Sequence, residues 1–333
     1  MEIINKIRDA GIYGKGGAAY PTADKWEGVY KAQGDKKYII VNSSEGELGL
    51  FKDLYVWRNH MEKVFGGIKY AIDFLNCPLE IYIHINQDYY NELQSAIYRH
   101  INDFKWLDVK FHISIENPSY IGGEASALMN IIETGVAQPK PRTARTVEKG
   151  LFEKPTMMNN VETFYDVCRV LDGDYDNKRF FGIWGDGIEK RVIRADINDS
   201  IGKILRDNGI TNFDYVQVGG SASGAVYNKS QLDEIFTKSA GGIEIFDKNK
   251  RGVKEFLTRI SAFYEKEACG KCMGKKFATS LKELIDGGEY EPEKLFPVVL
   301  DMNKKTFCKL CKSLKTPFET FSKNILGKDL NIM

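Results

Sequence analysis

The sequence predicts an α/β protein: a parallel, helix-covered sheet, then a small sheet-plus-helix domain, then a helical C-terminus. Three observations carry this reading. Short apolar runs rich in β-branched residues alternate with helical periods through residue 171. The composition breaks at Asp172-Gly173-Asp174-Tyr175-Asp176-Asn177. From Lys250 onward the apolar spacing is helical, as in Phe256, Ile260 and Phe263.

Bulk composition narrows the class. The 333 residues, 43% hydrophobic and 28% charged, are those of a soluble globular protein with room for two or three domains. Lys+Arg 47 against Asp+Glu 46 leaves a net charge of +1, which gives no overall footprint for nucleic acid or an anionic membrane surface. The N-terminus lacks a basic start and apolar run, and no apolar stretch reaches membrane-spanning length. A cytoplasmic location without direct membrane insertion is therefore expected. Of the six cysteines, four form two C-x-x-C pairs near the C-terminus, which favours metal or redox chemistry over a disulfide framework.

Residues 2–10, with Ile3, Ile4 and Ile7 at helical spacing, form the first helix. Then comes Gly14-Lys15-Gly16-Gly17-Ala18-Ala19-Tyr20-Pro21-Thr22-Ala23-Asp24-Lys25-Trp26. Its glycines allow close backbone approach, Pro21 fits a helix start, and an anion suits the positive end of the following helix, with Lys15 and Lys25 adding charge. Gly14, Gly16 and Ala19 satisfy G-x-G-x-x-A, but that fingerprint must follow a strand, and here it follows a helix. A ligand-free glycine turn is the alternative.

Residues 38–42 read as a buried strand ending in the polar loop Asn42-Ser43-Ser44-Glu45-Gly46-Glu47, placed where open α/β sheets bind ligands or, alternatively, where a turn caps the next helix. A helix at 61–75, a strand at 79–86, a helix at 89–104 and a strand at 108–115 follow, with His84 and His112 as solvent-face or structural histidines. Tyr120-Ile121-Gly122-Gly123-Glu124 then repeats the pattern of loop, glycines and helix start, and residues 134–154 form a long surface loop. Asn159 is a plausible N-cap for a helix to 171, with the Asn159 and Asn160 amides free for a ligand.

Beyond the break, strands at 179–184, 190–196, 214–218 and 242–246 surround a helix at 201–208. Gly219-Gly220-Ser221-Ala222-Ser223-Gly224 lacks the G-K-[ST] of a phosphate loop and reads as a flexible loop.

Five ordered motifs together carry a family resemblance. The glycine stretch with Lys25-Trp26 resembles G-[RK]-G-G-A-G-F-P-T-x-x-K-W of the NADH-binding flavoprotein subunit of respiratory complex I, NAD-linked hydrogenases and formate dehydrogenases. Residues 42–53 resemble N-A-D-E-x-E-P-G-T-F-K-D, residues 120–124 Y-I-C-G-E, residues 154–163 K-P-T-x-x-N-N-V-E-T, and residues 269–272 C-G-K-C. The resemblance implies a Rossmann-like FMN domain (1–175), a ubiquitin-like, soluble-ligand-binding β-grasp domain (176–247) and a helical iron-sulfur domain (248–333). It implies flavin contacts from Gly14, Lys15, Gly16, Lys25, Asn42, Glu45, Tyr120, Gly123, Glu124, Asn159 and Asn160, with Glu124 the candidate catalytic residue and Tyr20 and Glu47 kept from the NAD side.

The departures matter too. Ser44 stands for the family's Asp, Ala125 for a Glu, Gly28 for an aromatic residue, and Arg142-Thr143-Ala144-Arg145-Thr146 for K-P-P-F-P. Two of three aromatic partners for the dinucleotide are thereby lost, so NADH is a candidate substrate that should bind weakly, and Arg142 and Arg145 are either an anion- or partner-binding pair or solvated arginines. Lys275 replaces the third cysteine of C-x-x-C-x-x-C, Cys308 keeps the fourth, and Cys311 is new. Cys269, Cys272, Cys308 and Cys311 would hold a 4Fe-4S cluster, or alternatively a tetrahedral zinc. The expected function is that of an electron-transfer oxidoreductase passing electrons between FMN, the cluster and a partner, either other redox subunits or a ferredoxin-like protein. The alternatives are a relative that keeps FMN without NADH and serves another carrier, and a non-catalytic flavin- or zinc-binding scaffold.

Overall fold

The computed structural model describes residues 1–117, 119–141 and 144–330, and these fall into two compact units. The first comprises Met1–Gly46 and Phe51–Lys178, the second Glu47–Leu50 and Arg179–Met333.

In chain order the first unit contains α1 (Glu2–Asp9), α2 (Thr22–Lys31), β1 (Lys37–Ser43), α3 (Lys52–Leu75), β2 (Leu79–Asn86), α4 (Gln87–Asn102), β3 (Val109–Glu116), α5 (Ala125–Thr134), β4 (Thr156–Asn160) and α6 (Val161–Asp172). The strands lie in the order β3-β2-β1-β4 and every pairing is parallel, with Ile39 opposite both Ile81 and Met157. Helical crossovers cover the sheet, so β1 is apolar on both faces: Ile39, Ile40 and Val41 are fully buried. On one side Tyr38, Ile40 and Met158 pack against Leu128 and Met129 of α5.

Two elements of the first unit depart from the sequence expectation. The helix expected at 61–75 begins at Lys52, with a kink at His60 (φ −141°, ψ 25°) between its two parts. Residues 156–160 form a strand, although Thr-Met-Met-Asn-Asn lacks β-branched or aromatic enrichment; pairing with β1 overrides that weak propensity. The helix cap consequently falls on Asn160, whose Oδ1 accepts from Glu162 N–H, and not on Asn159. The histidines fit their structural reading. Buried His84 meets Ser114 Oγ (2.9 Å) through Nδ1, and His112 meets Glu80 (2.9 Å) while stacking on Tyr82.

The second unit contains β5 (Lys178–Gly185, its first residue in the first unit), β6 (Ile188–Asp196), α7 (Ile201–Asp207), β7 (Tyr215–Val218), β8 (Ala225–Asn228), β9 (Gly242–Phe246), α8 (Val253–Glu267), α9 (Gly274–Asp286), α10 (Pro292–Lys304), α11 (Lys309–Ser313) and α12 (Lys315–Leu326). Its sheet runs β6-β5-β9-β7-β8, with β5 and β9 parallel and β7 antiparallel to both neighbours. Ile201, Ile204 and Leu205 of α7 close a core with Phe181, Ile183, Val216 and Ile243. The C-terminal helices pack on this sheet within the same unit: Thr320 Oγ1 accepts from Val226 N–H (2.8 Å), and the Phe256 and Phe321 rings stack at 3.9 Å. No helix among the described residues is long and apolar enough to cross a membrane.

The glycine stretch is a closed turn. Gly14 N–H donates to the Tyr20 carbonyl (2.8 Å), Thr22 N–H to the Ile12 carbonyl (2.9 Å), and Tyr13 and Pro21 form an isolated bridge. Within it Gly17 has φ 103° and Ala19 φ 47°. The left-handed region suits glycine and brings the alanine Cβ toward a carbonyl oxygen, at a cost of roughly 1 kcal/mol. The resembling motif has glycine at this position. Ala19→Gly should therefore stabilise the protein by a net of roughly 0.5 kcal/mol or less, after allowance for the greater unfolded-state entropy of glycine. Urea midpoints of both proteins check this, and a midpoint lowered in the variant would contradict the assignment of strain.

Candidate functional site

The loops at the carboxyl ends of the first sheet converge through backbone contacts. Asn42 Nδ2 donates to the Gly123 carbonyl (3.1 Å), and Asn42 Oδ1 accepts from Ser44 N–H (3.1 Å). A Cβ on Gly123 would lie 2.8 Å from the Ser44 carbonyl oxygen, and one on Gly46 would lie 2.5 Å from Tyr120 Cα, so these glycines permit the approach. Asn160 Nδ2 donates to the Asn42 carbonyl (3.2 Å) and to Asp53 Oδ2 (2.6 Å), and Gly16 sits against the Asn160 side chain. Gly14, Gly16, Asn42, Glu45, Tyr120, Gly123, Glu124, Asn159 and Asn160 thus occur on segments that this sheet edge gathers.

Each polar residue has a distinct local role. Glu124 is the N-cap of α5: its Oε2 accepts from the N–H groups of Ser126 (2.8 Å) and Ala127 (3.0 Å), so the candidate catalytic carboxylate also anchors a helix. Asn159 is buried, and among the described residues neither its Oδ1 nor its Nδ2 has a hydrogen-bond partner. Lys25 Nζ donates to the Met158 carbonyl (2.6 Å), and burial pushes its ammonium down to about 8. Lys15 is different. Its side chain is fully buried, 3.3 Å from Asp166 Oδ2 and 3.9 Å from the centre of the Tyr13 ring. The two lysines expected to share one anion therefore have separate partners, and Lys15 is committed to a carboxylate.

A buried charged network, which the spacing of residues did not reveal, lies beside Asn160. Lys52 Nζ contacts Asp53 and lies 3.2 Å from Glu162 Oε2. Burial disfavours its ammonium, but the carboxylates of Asp53, Glu162 and Glu45 outweigh that and hold it charged. Glu45 Oε2 accepts from Asp53 N–H (3.0 Å) and Tyr89 O–H (2.9 Å). Burial, reinforced by the nearby Asp53 charge, pushes the Glu45 carboxyl up to about 8.

The residues expected near a dinucleotide are dispersed in their bonding. Tyr20 is exposed, and Arg145 pairs with Glu148 and interacts with Tyr20. Arg142 and Thr143 lie outside the described residues. A Cβ on Gly28 would come within 3.3 Å of Val147 Cγ2, which leaves little room for an aromatic ring there. In the second unit, Glu47 accepts from Ala222 N–H (3.1 Å) and Ser223 Oγ, and Gly220 (φ 108°) lets the chain wrap its carboxylate. The stretch 219–224, expected as a flexible loop, is therefore a bonded turn: Gly224 N–H closes on the Gly220 carbonyl (3.0 Å) and Tyr264 O–H donates to the Ala222 carbonyl (3.2 Å).

The sulfurs of Cys272, Cys308 and Cys311 lie within 4.8 Å of one another, and Cys269 is not part of that group. Cys308 caps α11, Cys311 follows one turn later, and Cys272 precedes α9. A Cβ on Gly274 would fall 2.2 Å from Cys311 Sγ and 3.3 Å from Cys272 Sγ, so glycine there keeps the space between the sulfurs open. The Cys311 thiol lowers the Cys308 thiol to about 6 by hydrogen bonding, while Cys311 is itself raised. Lys275, at the family's missing cysteine, binds Glu265 (2.7 Å).

Glu45 gives a testable pH dependence. A carboxyl raised from 4.5 to about 8 binds its proton more tightly in the folded than in the unfolded protein, so its contribution is full below pH 4.5 and is lost as pH rises toward 8. The limiting slope for one proton is about 1.4 kcal/mol per pH unit. Glu45→Gln should flatten stability between pH 5 and about 8 while retaining an acceptor for Tyr89 and Asp53. Parallel stability-pH curves for variant and parent would place the proton elsewhere.

A family profile described as the Nuo51 FMN-binding domain matches residues 7–169. The chain is 26% identical over 299 residues to the alpha subunit of the NAD-reducing hydrogenase HoxS of Cupriavidus necator, covering 82% of this chain and 49% of that protein. It is 25% identical over 355 residues to an NADH-quinone oxidoreductase subunit of Rhizobium meliloti (93% of this chain, 83% of the relative), and 27% identical over 303 residues to an NADH-quinone oxidoreductase subunit of Aquifex aeolicus (81% and 70%). An NAD+-reducing NiFe-hydrogenase crystal structure in the H2-reduced state shares the fold, with a TM-score of 0.87 at 23% identity, covering 99% of this chain and 62% of that one. The chain thus spans about half of the hydrogenase alpha subunit and less than two thirds of the hydrogenase chain of known structure. Residues 7–169, just under half of the chain, are thus similar to the Nuo51 FMN-binding domain.

Proposed function

We propose that the chain is an electron-transfer flavoprotein subunit of an oxidoreductase, holding FMN at the edge of the first sheet and a metal centre on its C-terminal cysteines. Asn159 carries the first part. A buried amide with neither atom paired costs roughly 1–3 kcal/mol per group, and a ligand at the sheet edge would satisfy it. Gly14 and Gly16 present backbone without side chains, Gly123 lets the Ser44 backbone pack beside it, and Asn42, Glu45, Tyr120, Glu124 and Asn160 frame the same edge. An anionic phosphate beside Lys25 would restore a full charge that burial weakens. FMN, when bound, accepts electrons in pairs and releases them singly.

The cysteines fit a thiolate-bound metal. Cys272, Cys308 and Cys311 converge, and Cys269 is three residues from the first of them. Cys311 takes the ligand place that Lys275 cannot, because Lys275 is turned to Glu265. Conversion of clustered thiols to thiolates suits either a 4Fe-4S cluster or zinc. We read it as the cluster, since a redox centre gives the flavin's single electrons an exit toward a partner subunit or a ferredoxin-like carrier. Cys311→Ala should lower iron to less than half that of the parent, as measured by elemental analysis of anaerobically purified protein together with the cluster spectrum; unchanged iron would exclude Cys311 as a required ligand.

NADH is a poor donor in this reading. Gly28 is packed against Val147, and Arg145 is paired with Glu148, so two aromatic contacts to the dinucleotide are absent. At roughly 1 kcal/mol each their loss weakens binding by at least about tenfold. Hydride transfer also depends on alignment supplied by the remote half of the donor. In stopped flow, micromolar NADH should bleach the flavin band slowly or not at all, while dithionite bleaches it fully. Rapid bleaching by NADH would establish plain NADH oxidation instead.

A further inference from the structure

The near-zero net charge conceals a segregation. Residues 266–276 and 304–312, which contain all four C-terminal cysteines, hold eight lysines against one carboxylate, Glu267. Lys271, Lys276, Lys304, Lys309 and Lys312 are exposed and make no ion pair among the described residues. Lys276 lies in the first turn of α9, Lys309 opens α11 and Lys312 closes its last turn. Neither α9 nor α11 has an acidic residue in its first turn. Lysine at a helix start opposes the helix dipole, so Lys276 and Lys309 are poorly explained by the stability of their own helices. Between the lysines, Met273 and Phe307 are exposed, at 45% and 43%. Cys272, half-buried, sits next to Met273, and Phe307 next to Cys308.

From this arrangement we infer that the lysine rim around the cysteine centre is the docking surface for a small acidic one-electron carrier protein. Long-range attraction between the rim and an acidic partner steers encounter, and the exposed Met273 and Phe307 supply a small apolar centre of contact. The carrier's redox group would thereby be brought close to the thiolates. One electron then passes between carrier and centre: the donor is oxidised by one, the acceptor is reduced by one, and no bond is made or broken. The inference rests on the proposed cluster for its chemistry, but the docking itself is readable without it.

The test uses the full chain, purified anaerobically, and a small acidic 2Fe-2S ferredoxin as probe, with binding measured by calorimetry at about 20 mM and 200 mM salt. The parent should bind at low salt and lose at least about tenfold in affinity at high salt. Lys276→Glu, Lys309→Glu and Lys312→Glu combined should abolish low-salt binding, whereas Lys6→Glu, Lys31→Glu and Lys69→Glu, an equal change of net charge on the first unit, should leave it intact. If the triple reversal folds poorly, Lys309→Gln with Lys312→Gln should still weaken binding several-fold. Absence of parental binding, equal loss in the control variant, or equal displacement by poly-glutamate overturns the inference. So does a variant whose cluster potential moves while its binding does not, since the lysines would then merely neutralise the cluster. Iron analysis separates the two readings: lysine-dependent binding by an iron-free, zinc-containing chain upholds docking and refutes the cluster, while an iron-loaded chain that ignores the ferredoxin does the reverse.

Discussion

Parallel pairing of β1 on both of its edges is the constraint from which the candidate flavin site follows. Tyr38, Ile39, Ile40, Val41 and Asn42 are opposite residues of β2 on one side and of β4 on the other. With Ile39, Ile40 and Val41 fully buried, both faces of the strand are covered and β1 lies in the interior of the unit. Because the strands are parallel, their carboxyl ends lie at one edge, and the loops that follow them must meet there. Asn42 fastens the end of β1 to Gly123, and Asn160 fastens the end of β4 to Asn42. The glycines are the permission for that meeting, since Gly46 and Gly123 stand where side chains would collide with neighbouring backbone.

The same edge concentrates polar groups that do not help folding by themselves. Lys52, Asp53, Glu162 and Glu45 are removed from water, and such burial is favourable only when partners are well placed. The Lys52 ammonium is surrounded by several carboxylates, and burial, reinforced by the Asp53 charge, raises the Glu45 carboxyl. Asn159 adds an amide that has no hydrogen-bond partner among the described residues. A stability-driven sequence would remove these groups, so their presence at the sheet edge points to a ligand that makes use of them.

Much of this was legible in the residues. The strand at 79–86 is found with the expected bounds, because Leu-Glu-Ile-Tyr-Ile-His-Ile-Asn has clear β-branched enrichment and alternation. The strand Thr156–Asn160 was not legible, since its formation is decided by distant pairing with β1 and not by its own methionines and asparagines. The polar loops were placed from glycine spacing, but spacing could not tell that Lys15 turns inward to Asp166 while Lys25 meets the Met158 carbonyl. Likewise the two C-x-x-C pairs point to metal or redox chemistry, whereas the convergence of Cys272, Cys308 and Cys311 around Gly274 is a product of helix packing. The turn at 219–224 looked loose for want of apolar residues; its order comes from Glu47, 175 residues before Ala222 in the chain.

The central claim is that the polar edge of the first sheet is built for a flavin mononucleotide, and titration of the flavin-free full chain with FMN, followed by quenching of flavin fluorescence, addresses it most directly. The account predicts saturation at one FMN per chain and an affinity for FMN at least about tenfold above that for riboflavin, because the phosphate gains the Lys25 charge. No saturable quenching, or equal binding of riboflavin and FMN, would contradict it.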